Sequence, residues 1–272
     1  MKFLKWSGGK TSSLSAILPR LQLGSDAGTY YEPFLGGGAV FFALEPRSAI
    51  LSDSNKKLID TYEGVCDYVE LVIERLKKMP YEKSFFLKQR QIFNDQQRST
   101  EETAASFIYL NKTCFNGLYR VNKKGEFNVP FGRYDNPTIC DEPTLRAAAK
   151  ALERAVLGVM DFEMALRTVN KGDRVYIDPP YTPASDTANF TGYTEGGFGM
   201  KDQMRLAACV ADLAKRKALV VVSAADTKEV RGLYQKKFFD IEELQVARAI
   251  NSNGAKRGKV GELLITPKKG AF

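Results

Sequence analysis

Residues 178–181 read DPPY and follow the apolar run VYI. That run predicts a strand. Two prolines cannot continue a sheet ladder, so the backbone must turn out where the strand ends. In an α/β sheet the carboxyl ends of the strands are where ligands bind. The Asp178 carboxylate, the Pro179 carbonyl and the Tyr181 ring would then face one crevice. Two acceptors beside an aromatic ring suit an exocyclic amine on a flat base. Asp178 and Pro179 would take the two N–H bonds, and Tyr181 would stack on the ring. The plainer reading is a strand-ending Pro-Pro turn with a capping Asp.

Two glycine-rich stretches could hold a second ligand. The first, KWSGGKTS, spans residues 5–12. A phosphate-binding P-loop needs GxxxxGK[ST] between a strand and a helix. Gly9, Lys10 and Thr11 supply its last three positions, but the first glycine falls on Leu4 and no long apolar strand precedes it. A triphosphate site is therefore disfavoured. Lys10 could still hold a carboxylate or another anion at the start of a helix over 12–21. The second stretch, EPFLGGGAV at 32–40, lies between a predicted strand and a predicted helix. Glycines there let the backbone approach a ligand closely, or simply make a tight turn. Asp53 ends the next apolar run, AILSD, where such folds bond ribose hydroxyls. It could equally cap a helix starting at Asn55. Beside the glycine loop, the ribose role is preferred.

The elements that must position these residues alternate. Strands are expected over 29–34, 49–53, 155–159, 174–180, 218–224, 238–244 and 262–266. Helices are expected over 39–46, 161–169, 200–216 and 227–236. Strand, glycine turn, helix, strand and acid within about 25 residues is the pattern of a nucleotide-binding βαβ unit. Between 55 and 111 the spacing turns helical, and a further helix is expected over 142–152. Residues 112–137 differ again, mixing turn signals with aromatics and basic residues. LYRV and EFNV around NKKG predict a β-hairpin. The polar stretch 182–197 is a long loop, the kind that is usually functional or disordered. The chain is thus read as an α/β sheet domain (1–54 and 145–272) split by a helical insert (55–144) with a hairpin at about 118–131.

Composition narrows the chemistry. The 272 residues are 44% hydrophobic, enough for a sizeable core. No run of about 18 apolar residues would span a membrane. The N-terminus lacks the apolar run of a secretory signal. The formal charge of +8 suits a polyanionic partner or ordinary solubility. There is no histidine, which removes imidazole-dependent triads, bases and metal sites. The four cysteines are scattered without a CxxC pair, so they read as reduced thiols of a cytosolic protein and no metal site is expected.

Taken together, FLKWSGGK, EPFLGGGAVFF, LSDSN, FNGLYRVNKKGEFNVPFGRY, VYIDPPYTP, TANFTGY and NSNG occur in an order that resembles the Dam-type DNA adenine-N6 methyltransferases. The resemblance spans nearly the whole chain. DPPY alone marks amino-methyltransferases broadly, whereas the FNVPFGRY stretch is far more specific. It implies a Rossmann-like class I methyltransferase sheet and S-adenosyl-L-methionine as methyl donor. By carry-over, Trp6 packs near the donor and Lys10 holds its methionine carboxylate. Glu32, Phe34, Gly36 and Gly38 belong to the loop that approaches it, and Asp53 takes its ribose. Asp161 and Phe162 sit roughly where the donor's adenine is recognised, with Asp178 alongside. The insert would read double-stranded DNA, with GATC specified mainly by the hairpin. Arg120 matches a guanine contact, Leu118 a thymine-methyl contact and Pro130 a nearby apolar contact. Lys5 matches a base-contacting lysine. Phe115 and Asn116 lie where the family inserts a wedge beside the flipped base; Phe115 replaces a common Tyr, so stacking is kept and a hydroxyl bond is lost. Arg90, Asn122, Asn128 and Arg133 are expected phosphate contacts, or solvated surface residues. The resemblance also implies action in a bacterial cytoplasm, encoded by the cell or by a phage. Oligomeric state is not legible, and a monomer is compatible. Cytosine-N4 or RNA adenine methylation, and a DNA reader without activity, are the alternatives.

Overall fold

The computed structural model describes residues 2–22, 28–95, 98–181, 198–247 and 259–272. The loop 182–197, with TANFTGY, and the late NSNG lie outside the described residues.

Among the described residues the sheet has seven strands: β1 (Tyr30–Glu32), β2 (Ala49–Asp53), β3 (Ala155–Val159), β4 (Arg174–Ile177), β5 (Leu219–Ala225), β6 (Phe239–Ala247) and β7 (Lys259–Pro267). Their order is β3-β2-β1-β4-β5-β7-β6. The pairs β1–β2, β1–β4, β2–β3 and β4–β5 are parallel, while β7 runs antiparallel between β5 and β6. This is the Rossmann-like class I methyltransferase sheet expected from the sequence. The strand order reverses between β1 and β4, and such a switch point opens a crevice outside the carboxyl ends of the strands.

Alternation along the strands builds two cores. Tyr30, Leu51, Tyr176, Val221 and Leu264 point to one face. Tyr31, Val175, Ile177, Val220, Val222, Leu263 and Ile265 point to the other. The near-continuous apolar run of β5 is what a strand covered on both faces requires. The second face is closed by α7 (Phe162–Leu166), α8 (Met200–Lys215) and α9 (Lys228–Leu233). In α8, Leu206, Val210 and Leu213 fall on one stripe and bury it there.

The first face carries α1 (Leu14–Leu21), α2 (Ala39–Leu44), α3 (Lys56–Lys77), α4 (Lys83–Asn94), α5 (Thr100–Thr113) and α6 (Glu142–Leu152). The helices between β2 and β3 share one continuous apolar core with that face. The α3 helix packs on α5 at Gly64, where a Cβ would lie 2.5 Å from Ala104 Cβ and 2.9 Å from the Thr100 carbonyl. Asn55 starts α3 by accepting a hydrogen bond from Leu58 N, and Tyr68 interrupts it with non-helical angles.

Two strand ends differ in detail. The strand expected over 29–34 ends at Glu32 and that over 174–180 ends at Ile177, because Pro33 and the Pro179-Pro180 pair follow. Residues 118–131 turn back on themselves as a short antiparallel pair: around the Val121↔Phe127 bridge, Asn122 N donates to the Glu126 carbonyl and Asn128 N to the Arg120 carbonyl. A second bridge, Cys114↔Phe131, ties the segment to the residue after α5. The Asn94 side chain takes the N–H and the carbonyl of Phe127, which face away from Val121 in this pairing. The turn itself is held by Asn122, whose Oδ1 accepts from Lys124 N and Glu126 N.

Candidate active site

Four chain segments meet at the switch point. The β1 strand runs into the glycine loop, β2 ends on Asp53, β4 ends before Asp178, and the N-terminal segment lies across them as a short 3₁₀ turn, Lys10–Ser13.

The glycine loop has no room for side chains. Gly36 has φ +47°, and a Cβ there would sit 2.7 Å from Trp6 Nε1. Trp6 in turn stacks on Tyr119, with centroids 5.7 Å apart. Asp53 braces the loop: Oδ2 accepts from Gly36 N at 3.0 Å and Oδ1 from Asn55 N at 3.0 Å. Burial pushes the Asp53 carboxyl above the usual carboxylate range, against the pull of these backbone N–H groups. Asn55 Nδ2 beside it is buried without a hydrogen-bond partner among the described residues.

Glu32 lies beneath the loop rather than in it. Its Oε2 accepts from Tyr30 Oη at 2.7 Å and from Phe41 N at 3.1 Å, at the start of α2. Burial raises its carboxyl to about 8, with Asp178 adding to the rise and the Tyr30 bond opposing it. Glu32 is therefore harder to ionise than an ordinary carboxyl, which limits the negative charge beneath the site.

Asp178 and Lys10 form the centre. Lys10 Nζ is 2.7 Å from Asp178 Oδ1 and 3.3 Å from Glu262 Oε1, and it donates to the Gly8 carbonyl at 2.9 Å. The Lys10 side chain is 7% exposed and that of Asp178 21%. Burial alone would pull the ammonium down, but the two carboxylates outweigh it and hold it above its ordinary value. For Asp178, burial pushes the carboxyl up, Lys10 pulls it back and Glu262 pushes it up again, leaving it at about 6. Asp178 is thus ionised at neutral pH and can accept hydrogen bonds. Tyr181 Oη donates to Glu262 Oε1 at 2.7 Å, and Lys10 Nζ lies 5.2 Å from the Tyr181 ring centroid. Pro179 is buried in the turn.

A second aromatic wall lies beside the loop. Phe34 stacks on Phe162 at 5.5 Å and meets Phe198 edge-on at 5.6 Å. Asp161 caps α7 through Glu163 N and accepts from Arg205, whose guanidinium lies 4.8 Å over Phe162. Asp161 is exposed, so its carboxylate can meet a ligand while Arg205 holds it.

The residues expected to read DNA gather in the segment after α5. Asn111, 3% exposed, clasps the N-terminal segment to it. Asn111 Oδ1 accepts from Lys5 N, and Nδ2 donates to the carbonyls of Lys5 and Gly117. Lys5 Nζ donates to the Lys112 carbonyl and lies 4.1 Å over the Tyr134 ring. Burial lowers the Lys5 ammonium despite Cys114 and Tyr81. Phe115 is 44% exposed at the turn, followed by Asn116 with φ 54°. Leu118 is half-buried and Pro130 exposed, its carbonyl accepting from Phe115 N. Arg120 Nε donates to Asn128 Oδ1 at 2.8 Å. Arg90 reaches the Val129 carbonyl, and Asn122 makes the turn already described. Of the four expected phosphate contacts, Arg90, Asn122 and Asn128 thus hold the segment together, and Arg133 stands exposed.

Sequence reasoning missed Glu262, Asn111 and Arg205. Glu262 could have been flagged as a lone acid opening the apolar run LLIT. Asn111 and Arg205 carry no comparable signal.

Residues 6–250 match the family model of the D12 class N6 adenine-specific DNA methyltransferases. Over 97% of its length the chain is 38% identical to the Type II methyltransferase M1.LlaDCHI of Lactococcus lactis subsp. cremoris, covering 94% of that protein. It is 42% identical to the Type II methyltransferase M.MjaIII of Methanocaldococcus jannaschii, covering 97% of each. It is 36% identical to the DNA adenine methylase of Escherichia coli K12, over 98% of this chain and 95% of that one.

Proposed function

The chain belongs to the D12 class N6 adenine-specific DNA methyltransferases, and on that premise we propose that it methylates adenine N6 within GATC in duplex DNA, with S-adenosylmethionine as donor and the target base flipped out. When bound, S-adenosylmethionine supplies a methyl group already activated on a sulfonium sulfur. The site fits such a donor on the chemistry of its residues: the Asp53 carboxylate ends β2 beside the glycine loop, where it suits ribose hydroxyls, and the buried Nδ2 of Asn55 next to it has no hydrogen-bond partner among the described residues. Asp53 would take the ribose hydroxyls, with Trp6, Gly36 and Gly38 along the loop. Phe34, Phe162 and Asp161 would hold the adenine of the donor. Lys10 has one neutral acceptor, the Gly8 carbonyl, which a donor carboxylate would displace.

The observation that carries the reading is the Asp178 carboxylate, ion-paired to Lys10 yet partly exposed at the end of β4. The N6 lone pair of adenine is delocalised into the ring. Asp178 and the Pro179 carbonyl accept the two N6–H bonds and localise that pair as positive charge develops. Preorganised acceptors of this kind stabilise the transition state without reorganisation. After transfer, N6 has gained a methyl group and loses one proton to Asp178 or to solvent. Taking the base out of the duplex costs a few kcal/mol. Tyr181 stacking on the base, and Phe115 with Asn116 filling the gap, offset part of it.

Because Asp178 must be ionised to accept, and its carboxyl stands at about 6, kcat/KM is expected to be flat near neutrality and to fall as pH drops through 6. A pH-rate profile on one duplex checks it; an acid limb near pH 4 would remove Asp178 from the rate.

Residues 55–144 form the target-recognition insert in this reading, within a catalytic frame of 1–54 and 145–272. Arg120, aimed by Asn128, would contact guanine O6 and N7, Leu118 a thymine methyl and Pro130 a nearby apolar surface. Lys5 would touch a base, and Arg133 a phosphate. Arg120→Ala is expected to lower discrimination at the guanine by about 10–100-fold, measured as the ratio of kcat/KM on GATC and on a duplex with that guanine replaced. An unchanged ratio would remove the contact. The reading as a whole is tested by labelled methyl transfer from S-adenosylmethionine to duplexes carrying GATC, GAAC or no adenine in the site. Transfer is expected to the first alone. Equal transfer to all three would contradict it.

A further inference from the structure

We propose that Glu262 is a positioning residue of the active site: from the antiparallel strand β7, one carboxylate tethers both the Tyr181 phenol and the Lys10 ammonium, fixing the ring that stacks on the target base and the charge that faces Asp178. This rests on the adenine-N6 reading above.

Glu262 is 5% exposed, an unusual place for a carboxylate unless its oxygens are used. They are. Oε1 accepts from Tyr181 Oη at 2.7 Å and lies 3.3 Å from Lys10 Nζ. Oε2 accepts from Ser13 Oγ at 3.4 Å. Its place is set by the sheet register, which pairs Glu262 with Ala225 at the end of β5. Gly261 just before it packs against Asp226, where a Cβ would lie 2.9 Å from Oδ2. The tether is therefore anchored in rigid sheet, while the groups it holds lie in a turn and an N-terminal 3₁₀ segment.

Charge gives the tether a second effect. Four elements present titratable groups near Asp178: Lys10 from the N-terminal turn, Glu32 from β1, Tyr176 from β4 and Glu262 from β7. Burial pushes Glu32 up to about 8, so it carries less negative charge than an ordinary carboxylate. Burial keeps Tyr176 protonated, and its hydroxyl pairs with Ser223. Glu262 is the carboxylate that shares Lys10 with Asp178. Removing it gives Asp178 the whole ammonium and shifts its titration downward.

The test compares wild type, Tyr181→Phe, Glu262→Gln, Glu262→Ala and the Tyr181→Phe/Glu262→Ala double variant in single-turnover methyl transfer to one GATC duplex, with melting temperatures alongside. Tyr181→Phe keeps the ring and loses the tether, so the rate is expected to fall about tenfold, the effect of one hydrogen bond to a charged group. Glu262→Ala falls at least as far, and the double variant no further than the slower single one, because both changes remove one tether. Glu262→Gln still accepts from the phenol; its rate falls less, and the acid limb of its pH profile moves to lower pH. Losses that multiply in the double variant, or an acid limb unmoved in Glu262→Gln, would overturn the proposal. Should Glu262→Ala fail to fold, Tyr181→Phe and the pH profile of Glu262→Gln decide. A wild type that transfers nothing to adenine defeats the functional reading instead. The tether is then judged from crystal structures of wild type and Glu262→Gln: Lys10 drawn fully onto Asp178 in the variant supports it, and an unchanged Lys10 position overturns it.

Discussion

Asp178→Ala is expected to lower single-turnover methyl transfer by about 10²–10³-fold or more, while affinity for duplex DNA stays within a few-fold of wild type. In the proposed mechanism Asp178 contributes the carboxylate that localises the N6 lone pair, and a hydrogen-bond acceptor aimed at developing charge is worth most in a site closed to water. In the structure that carboxylate is held by Lys10 at 2.7 Å and by the rigid turn at Pro179. Its removal leaves Lys10 with Glu262 and the Gly8 carbonyl, so the lysine stays paired and the fold is not left with a bare buried charge. The residues expected to read DNA lie on a different segment, after α5, which is why binding survives. Rapid-quench transfer and filter binding on the same duplex separate the two. A variant that methylates normally but no longer binds DNA would reverse the assignment.

Asp53→Ala is the second large effect. Two hydrogen bonds from ribose hydroxyls to a carboxylate are worth about 1.5–3 kcal/mol each, so donor affinity is expected to fall by at least about 10²-fold. The change also removes the acceptor for Gly36 N and Asn55 N, which loosens the glycine loop proposed to hold the donor. Calorimetric titration with S-adenosylmethionine reads the loss directly, without DNA. Affinity within threefold of wild type would leave Asp53 only its role of bracing the backbone at Gly36 and Asn55.

Much of the site is legible in the sequence because its residues interrupt a pattern. Asp53 stops an apolar run, and Pro179 and Pro180 stop a strand, so each marks the end of a parallel strand where a crevice must lie. The glycine loop announces close approach, and the structure supplies what is approached, the Trp6 ring. Lys10 was read as an anion-holding lysine, and its anions here are Asp178 and Glu262, one of them from the far end of the chain. Nothing local could show that. The neighbour depends on β7 turning back between β5 and β6, and an antiparallel insertion sets partners by register rather than by spacing. The recognition segment shows the same limit from the other side. Its turn signals place the reversal at Asn122 and the pairing across it, yet they do not show that the outward edge of Phe127 is closed by the side chain of Asn94. A long-range amide closing a strand edge leaves no periodic trace. Asn111 is similar: at the end of a buried helix it reads as an ordinary polar residue, and only the fold brings Lys5 and Gly117 to it.

The central claim is tested most directly by incubating the purified protein with S-adenosylmethionine and unmethylated plasmid, then mapping every modified base by single-molecule sequencing. The account predicts N6-methyladenine, confined to GATC. N6-methyladenine at another sequence would keep the Asp178 chemistry and discard the Arg120 and Leu118 contacts, whereas N4-methylcytosine, or bound but unmodified DNA, would contradict the account at its centre.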